Sequence, residues 1–156
     1  MKKIKFLSKL KHKGILEFVK GSEEIEKSYK IKSDSYIGSS KLLLENGKFE
    51  EAVSMAYYSM YYILLSLLFK TGIKCENHSA SIIILKEVFE VDNTDISYAK
   101  TERVDKQYYV DFNVTKEDVE DLIRKSENFR GELQDFISKL NSAKIEDYRK
   151  RLEDLL

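Results

Sequence analysis

The chain has 156 residues, no proline, and 27 basic against 27 acidic side chains, so its formal net charge is zero. That length suits one domain with one sizeable core, and 42% apolar with 35% charged residues excludes wholesale disorder. Average usage would place about eight prolines here. Their absence, with only six glycines, excludes proline-rich linkers, collagen-like repeats and turn-dense β architectures and favours long helices.

Residues 1–20 hold seven lysines against one acid, Glu17, a local net charge of +6. The body therefore carries −6, and the zero total conceals a basic arm. The start has the basic end of a secretory signal but neither its continuous apolar stretch nor a small-residue cleavage site. Leu7, Leu10, Ile15, Leu16, Phe18 and Val19 predict a short helix docked on the body with its lysines in water. The same lysines, Lys3, Lys5, Lys9, Lys11 and Lys13, are candidate contacts to RNA or another polyanion.

Ser22 is placed to cap a helix whose first turn carries Glu23 and Glu24, suited to the positive end of its dipole. An imperfect helical stripe runs from there to Asn46, and Asn46-Gly47 reads as a C-cap and turn. Lys48 to Thr71 is the most apolar element. Between Ala52 and Phe69 its only non-apolar residues, tyrosine counted as apolar, are Ser54, Ser59 and Ser66. That length reaches the lower bound for a membrane span, but four tyrosines and three serines carry hydroxyls that are costly in lipid. No membrane span is expected. A helix apolar on nearly all sides sits instead at a bundle centre. Tyr57, Tyr58, Tyr61 and Tyr62 form two helical pairs, read as core and dimer contacts, with base stacking as the functional alternative.

Gly72 ends this helix, and a short loop, residues 73–77, leads to His78 and a third helix starting near Asn77 or Ser79. A fourth helix is expected over 96–109. Thr115 with Asp118 resembles a capping box, and six of seven heptad-like slots from 119 to 140 are apolar, which marks a long helix. Residues 145–156 read as a short charged terminal helix. No run alternates convincingly with period two. The expected fold is all-α, an up-and-down antiparallel bundle of four to five main helices with short terminal helices. It divides into a basic arm (1–20), the bundle (21–143) and a charged C-terminal helix (144–156).

Many chemistries are missing from the sequence: there is no glycine-rich phosphate loop, nucleophile elbow or Cys-x-x-Cys pair. The lone cysteine, Cys75, excludes an intramolecular disulfide and fits a reducing cytoplasmic compartment. Cys75 and His78 make half of a zinc ligand set that only a second copy could close; no metal or cofactor is expected. Of the two histidines, His12 lies in the basic arm and His78 at a loop-to-helix junction, where a helix N-terminus favours an anion.

Three segments carry a family resemblance. The first, Lys41 to Tyr62, reads KLLLENGKFEEAVSMAYYSMYY; the second, Lys70 to Ser79, reads KTGIKCENHS; the third, Arg103 to Tyr108, reads RVDKQY. In order and spacing they resemble the HEPN family (higher eukaryotes and prokaryotes nucleotide-binding), over about residues 30–140. Gln107 stands where that family usually has Asp. The resemblance implies a helical bundle, commonly a homodimer. Many members are metal-independent endoribonucleases, often toxins encoded beside a minimal nucleotidyltransferase. Their site is an Arg separated by four to six residues from a His. The Arg neutralises the phosphate while the His moves protons during attack by the ribose 2′-hydroxyl.

Here the required Arg positions are Thr71, Gly72 and Ile73, none of them basic. Lys74 and Arg103 are therefore the candidate phosphate-binding cations beside His78, and Tyr108 joins the arm lysines as a candidate RNA contact. Three functions follow: a homodimer that binds RNA or a nucleotide-bearing partner, an endoribonuclease using His78, or a protein-binding partner of a nucleotidyltransferase in a toxin–antitoxin-type pair.

Overall fold

A computed structural model describes residues 1–108 and 113–156, with side chains described for 1–104 and 113–156. Among the described residues it is an all-α bundle with one very small sheet. The elements are α1 (Lys2–His12), β1 (Leu16–Phe18), α2 (Glu23–Glu45), α3 (Phe49–Lys70), β2 (Ile73–Cys75), α4 (His78–Glu87), α5 (Thr94–Tyr108), α6 (Lys116–Ser138) and α7 (Ser142–Leu155).

Local chemistry starts and stops these helices where the sequence puts it. The Ser22 hydroxyl accepts from the Ile25 N–H at 3.2 Å, and Asn77 caps α4 by accepting from the Ala80 N–H at 2.9 Å. Thr115 and Asp118 exchange two bonds of 3.1 Å in a full capping box at the start of α6. Asn46 closes α2, and Gly47 turns the chain with φ +71°.

α3 is the axis of the fold, with α2, α5 and α6 packed around it. Its apolar length is spent on protein contacts, since Met60, Ile63, Leu64, Leu67 and Leu68 have no exposed surface. The serines let α2 and α3 approach closely and join them by hydrogen bonds. Ser33 donates to the Ser59 carbonyl at 2.7 Å, and Ser59 returns the bond to the Ser33 carbonyl at 2.9 Å. Ser40 donates to Ala52 and Ser66 to Glu26 in the same way. From α6, Arg130 reaches Ser33 Oγ at 2.7 Å and pairs with Asp34. Each of these buried hydroxyls is thus satisfied, as a buried polar group must be.

The sheet was not expected. β1 and β2 pair antiparallel, Leu16 opposite Cys75, Glu17 opposite Lys74 and Phe18 opposite Ile73. Three residues are too few to display a period-two pattern, so residues 73–75 read as loop. The pairing ties the arm to the turn after α3. Arg149 of α7 tightens the same corner by donating to the carbonyls of Gly72 (2.7 Å), Val19 (3.0 Å) and Thr71 (3.1 Å). The short β2 strand then delivers the chain to Asn77 and the start of α4.

Candidate functional site

His78 is the first residue of α4, directly after the Asn77 cap. Its ring lies on the aromatic face of α3. It stacks on Tyr61 with centroids 3.8 Å apart and planes 12° from parallel, and Tyr58 meets it edge-on at 6.3 Å. Tyr57 Oη is 2.7 Å from His78 Nδ1. Burial, reinforced by the neighbouring Tyr61, raises the Tyr57 phenol far above its ordinary value, so its proton stays on oxygen. The neutral phenol either donates to Nδ1, with the imidazole hydrogen on Nε2, or accepts from Nδ1–H, the tautomer of His78 deciding which.

Two cations from α5 complete the surroundings. Arg103 covers Tyr58 at 4.9 Å and Tyr57 at 5.5 Å from the ring centroids, the reach of a cation–π contact. Among the described residues, its Nε is the buried side-chain nitrogen without a hydrogen-bond partner. Lys100, three positions earlier on the same helix face, lines the same groove as His78, Tyr58 and Arg103. The groove is open and encloses about 470 Å³. Burial first, then Arg103 and Lys100, holds the His78 pKa below its ordinary value. The ring is consequently neutral near pH 7 and able to exchange a proton, while the positive charge beside it sits on Arg103 and Lys100. A neutral imidazole next to fixed cations can hold a phosphodiester and move protons on it.

Of the residues singled out from the sequence, His78 and Arg103 share this groove. Lys74 does not line it: on β2 it points to carboxylates, 3.1 Å from Glu76 and 3.9 Å from Glu17. Cys75 is buried and donates to the Asn77 carbonyl at 3.6 Å. No cluster of three or more His, Cys, Asp or Glu suited to a metal ion occurs among the described residues. Lys5, Lys9, Lys11 and Lys13 are exposed along and just after α1, with Lys11 over the Phe18 ring at 5.4 Å. Lys3 is exposed too and pairs with Glu87 at 3.5 Å. The Tyr108 side chain lies outside the described residues. Sequence reasoning missed Tyr57 as the partner of His78 and Lys100 as a neighbour of Arg103. The three-residue spacing of Lys100 and Arg103 on a helix was a usable signal.

Comparison with known proteins gives the same grouping. The HEPN domain profile matches residues 27–137. A UPF0332 protein of Thermotoga maritima is 27% identical over 132 residues, covering 78% of this chain and 97% of that protein. The UPF0332 protein PH1297 of Pyrococcus horikoshii is 45% identical over 60 residues, covering 38% of this chain and 42% of that protein. The matched profile takes in His78, Lys100 and Arg103 and leaves out the basic arm.

Proposed function

This chain belongs to the HEPN domain family, and from that premise we propose that it binds single-stranded RNA through the groove between α4 and α5, as a homodimer. The observation that carries the reading is the convergence of Arg103, Lys100 and the half-buried His78 on one groove. Arg103 arrives from α5 rather than from the turn before His78, and it supplies the planar, permanently charged fork suited to a phosphate. Its guanidinium lies over Tyr57 and Tyr58 and lines that groove. Tyr58, at the groove wall, holds Arg103 in place through its ring.

A second reading, metal-independent RNA cleavage, is favoured by the Tyr57–His78 bond. In such a step the ribose 2′-oxygen attacks phosphorus, its proton passes to a base, and the 5′-oxygen leaves with a proton from an acid. The products are a 2′,3′-cyclic phosphate and a 5′-hydroxyl. With Tyr57 donating to Nδ1, a neutral His78 holds its hydrogen on Nε2 and serves as the acid for the leaving 5′-oxygen. With Nδ1–H donating to Tyr57, its free Nε2 serves as the base for the 2′-hydroxyl.

The test is binding of a mixed-sequence single-stranded RNA octamer in EDTA, with product analysis on the same samples. Arg103→Ala should weaken binding about 10- to 100-fold, the loss of charge-assisted bonds to one phosphate. His78→Ala should leave binding within a few-fold and abolish any cleavage. Unchanged affinity in Arg103→Ala would remove the groove as the RNA site.

A further inference from the structure

The His78 groove does not end at Lys100. A second open groove of about 360 Å³ shares Ser79 and Lys100 with it and continues between α4 and α5 toward Asn93 and Lys3. Lys3 comes from α1, outside the residues that match the family profile. At about 1.5 Å rise per residue, the stretch from Asn93 to Arg103 measures about 15 Å. A stacked single strand advances about 3.4 Å per phosphate, so the joined groove accommodates about four nucleotides.

We infer that the two grooves form one track for single-stranded RNA, in which Lys3 of the arm holds a phosphate distal to the one at Arg103 and His78. This rests on the RNA reading of the His78 site and adds to it a direction and a second contact. The chemistry of the distal half supports the assignment. No acidic side chain lines it among the described residues. Its apolar lining is Ile82 and Ile83, its hydroxyls are Ser79, Ser97 and Thr101, and its cations are Lys3 and Lys100. That combination suits bases on the apolar lining and phosphates at the cations. The one carboxylate in the His78 half, Glu76, is paired with Lys74 at 3.1 Å. The Lys3–Glu87 pair is exposed and 3.5 Å long, and such surface pairs are weak, so a phosphate can displace Glu87. Of the arm's lysines, Lys3 lines this groove, which meets the His78 site at Ser79 and Lys100. The arm then acts as a directed contact rather than as diffuse positive charge.

The test measures the salt dependence of affinity for an RNA dinucleotide and an RNA hexamer between 50 and 200 mM salt. Each phosphate contact to a single strand contributes about 0.7 to the slope of log K against log salt. Lys3→Ala should lower the hexamer slope by about 0.7, a salt sensitivity about 2.5-fold smaller across that range, and leave the dinucleotide unchanged. Glu87→Gln, which frees Lys3, should tighten hexamer binding. Lys86→Ala removes an exposed lysine at the same end of α4 outside the groove and should do nothing. A hexamer slope unaltered by Lys3→Ala, while Arg103→Ala still weakens both RNAs, would overturn the track and leave the His78 site standing. An equal effect of Lys86→Ala would overturn it in favour of diffuse attraction. Failure of the unaltered protein to bind either RNA would overturn the parent reading and the track together.

Discussion

Gly72→Ala tests how tightly the corner before the candidate site is built. Gly72 has φ +71°, and a Cβ added there would approach both the Arg149 guanidinium and the Val19 carbonyl oxygen more closely than the 3.0 Å floor of real contacts. Two costs add. The left-handed backbone costs a non-glycine residue about 1–2 kcal/mol. The Val19 oxygen is backbone, anchored by the bond from the Val19 N–H to the Gly72 carbonyl at 2.8 Å, so relief takes a shift of the chain at Val19 as well as displacement of Arg149, which loosens its three carbonyl bonds. Hydrogen bonds from a charged donor contribute about 1.5–3 kcal/mol, which brings the total to about 3–5 kcal/mol. In a domain of this size 1 kcal/mol moves the melting temperature by about 2–4 °C, so Gly72→Ala should melt about 6–20 °C lower. Gly47 is the internal control, because it has the same φ of +71° and open space where a methyl group would stand. Gly47→Ala should lose only the backbone part, about 1–2 kcal/mol. Thermal unfolding by circular dichroism reads both. Equal destabilisation at the two glycines would refute the claim that Arg149 and Val19 close this corner around Gly72.

Thr115→Ala removes one of the two bonds of the α6 capping box and should cost about 1 kcal/mol, read by urea unfolding with an unchanged slope. Arg103→Gln removes a positive neighbour that, after burial, depresses His78, so an NMR titration should show the His78 pKa rising toward the ordinary histidine value. The depressed His78 value also gives stability a sign with pH. Above the ordinary histidine value near 6.5 the neutral ring costs nothing in either state. As pH falls from there through the depressed folded value, the unfolded chain takes up the proton first and stability declines. His78→Gln should remove that increment of acid sensitivity in denaturant melts at pH 5 and pH 7.5; an identical pH dependence in the variant would contradict the buried setting of His78.

What the sequence disclosed was governed by distance along the chain. Ser22 and Thr115 were legible as caps because each acts on a backbone N–H three residues away. α3 was legible because its apolar character persists around the whole helix and admits only a central position. The serines of α3 were legible as a departure from a membrane helix, but their partners on α2 were not, since Ser33 and Ser59 are 26 residues apart. The β1–β2 pair joins residues more than fifty positions apart through three-residue strands, and neither the separation nor the length leaves a periodic trace. The same limit applies at the groove. Lys74 and Arg103 were equal candidates by sequence, although Lys74 is near His78 in the chain and Arg103 is not. Strand pairing turns Lys74 toward Glu17 and Glu76, whereas packing of α5 on α3 brings Arg103 over Tyr57 and Tyr58. Proximity in sequence was the poorer guide to proximity in space.

The central claim is that RNA occupies the groove at His78, and the two histidines make it directly measurable. His78 lines the groove, and His12 is exposed at the end of α1. Titrating the full chain with a short single-stranded RNA in EDTA, while following the two imidazole ring signals by NMR, should shift or broaden His78 saturably and leave His12 unmoved. RNA that binds while the His78 signal stays fixed would contradict the account.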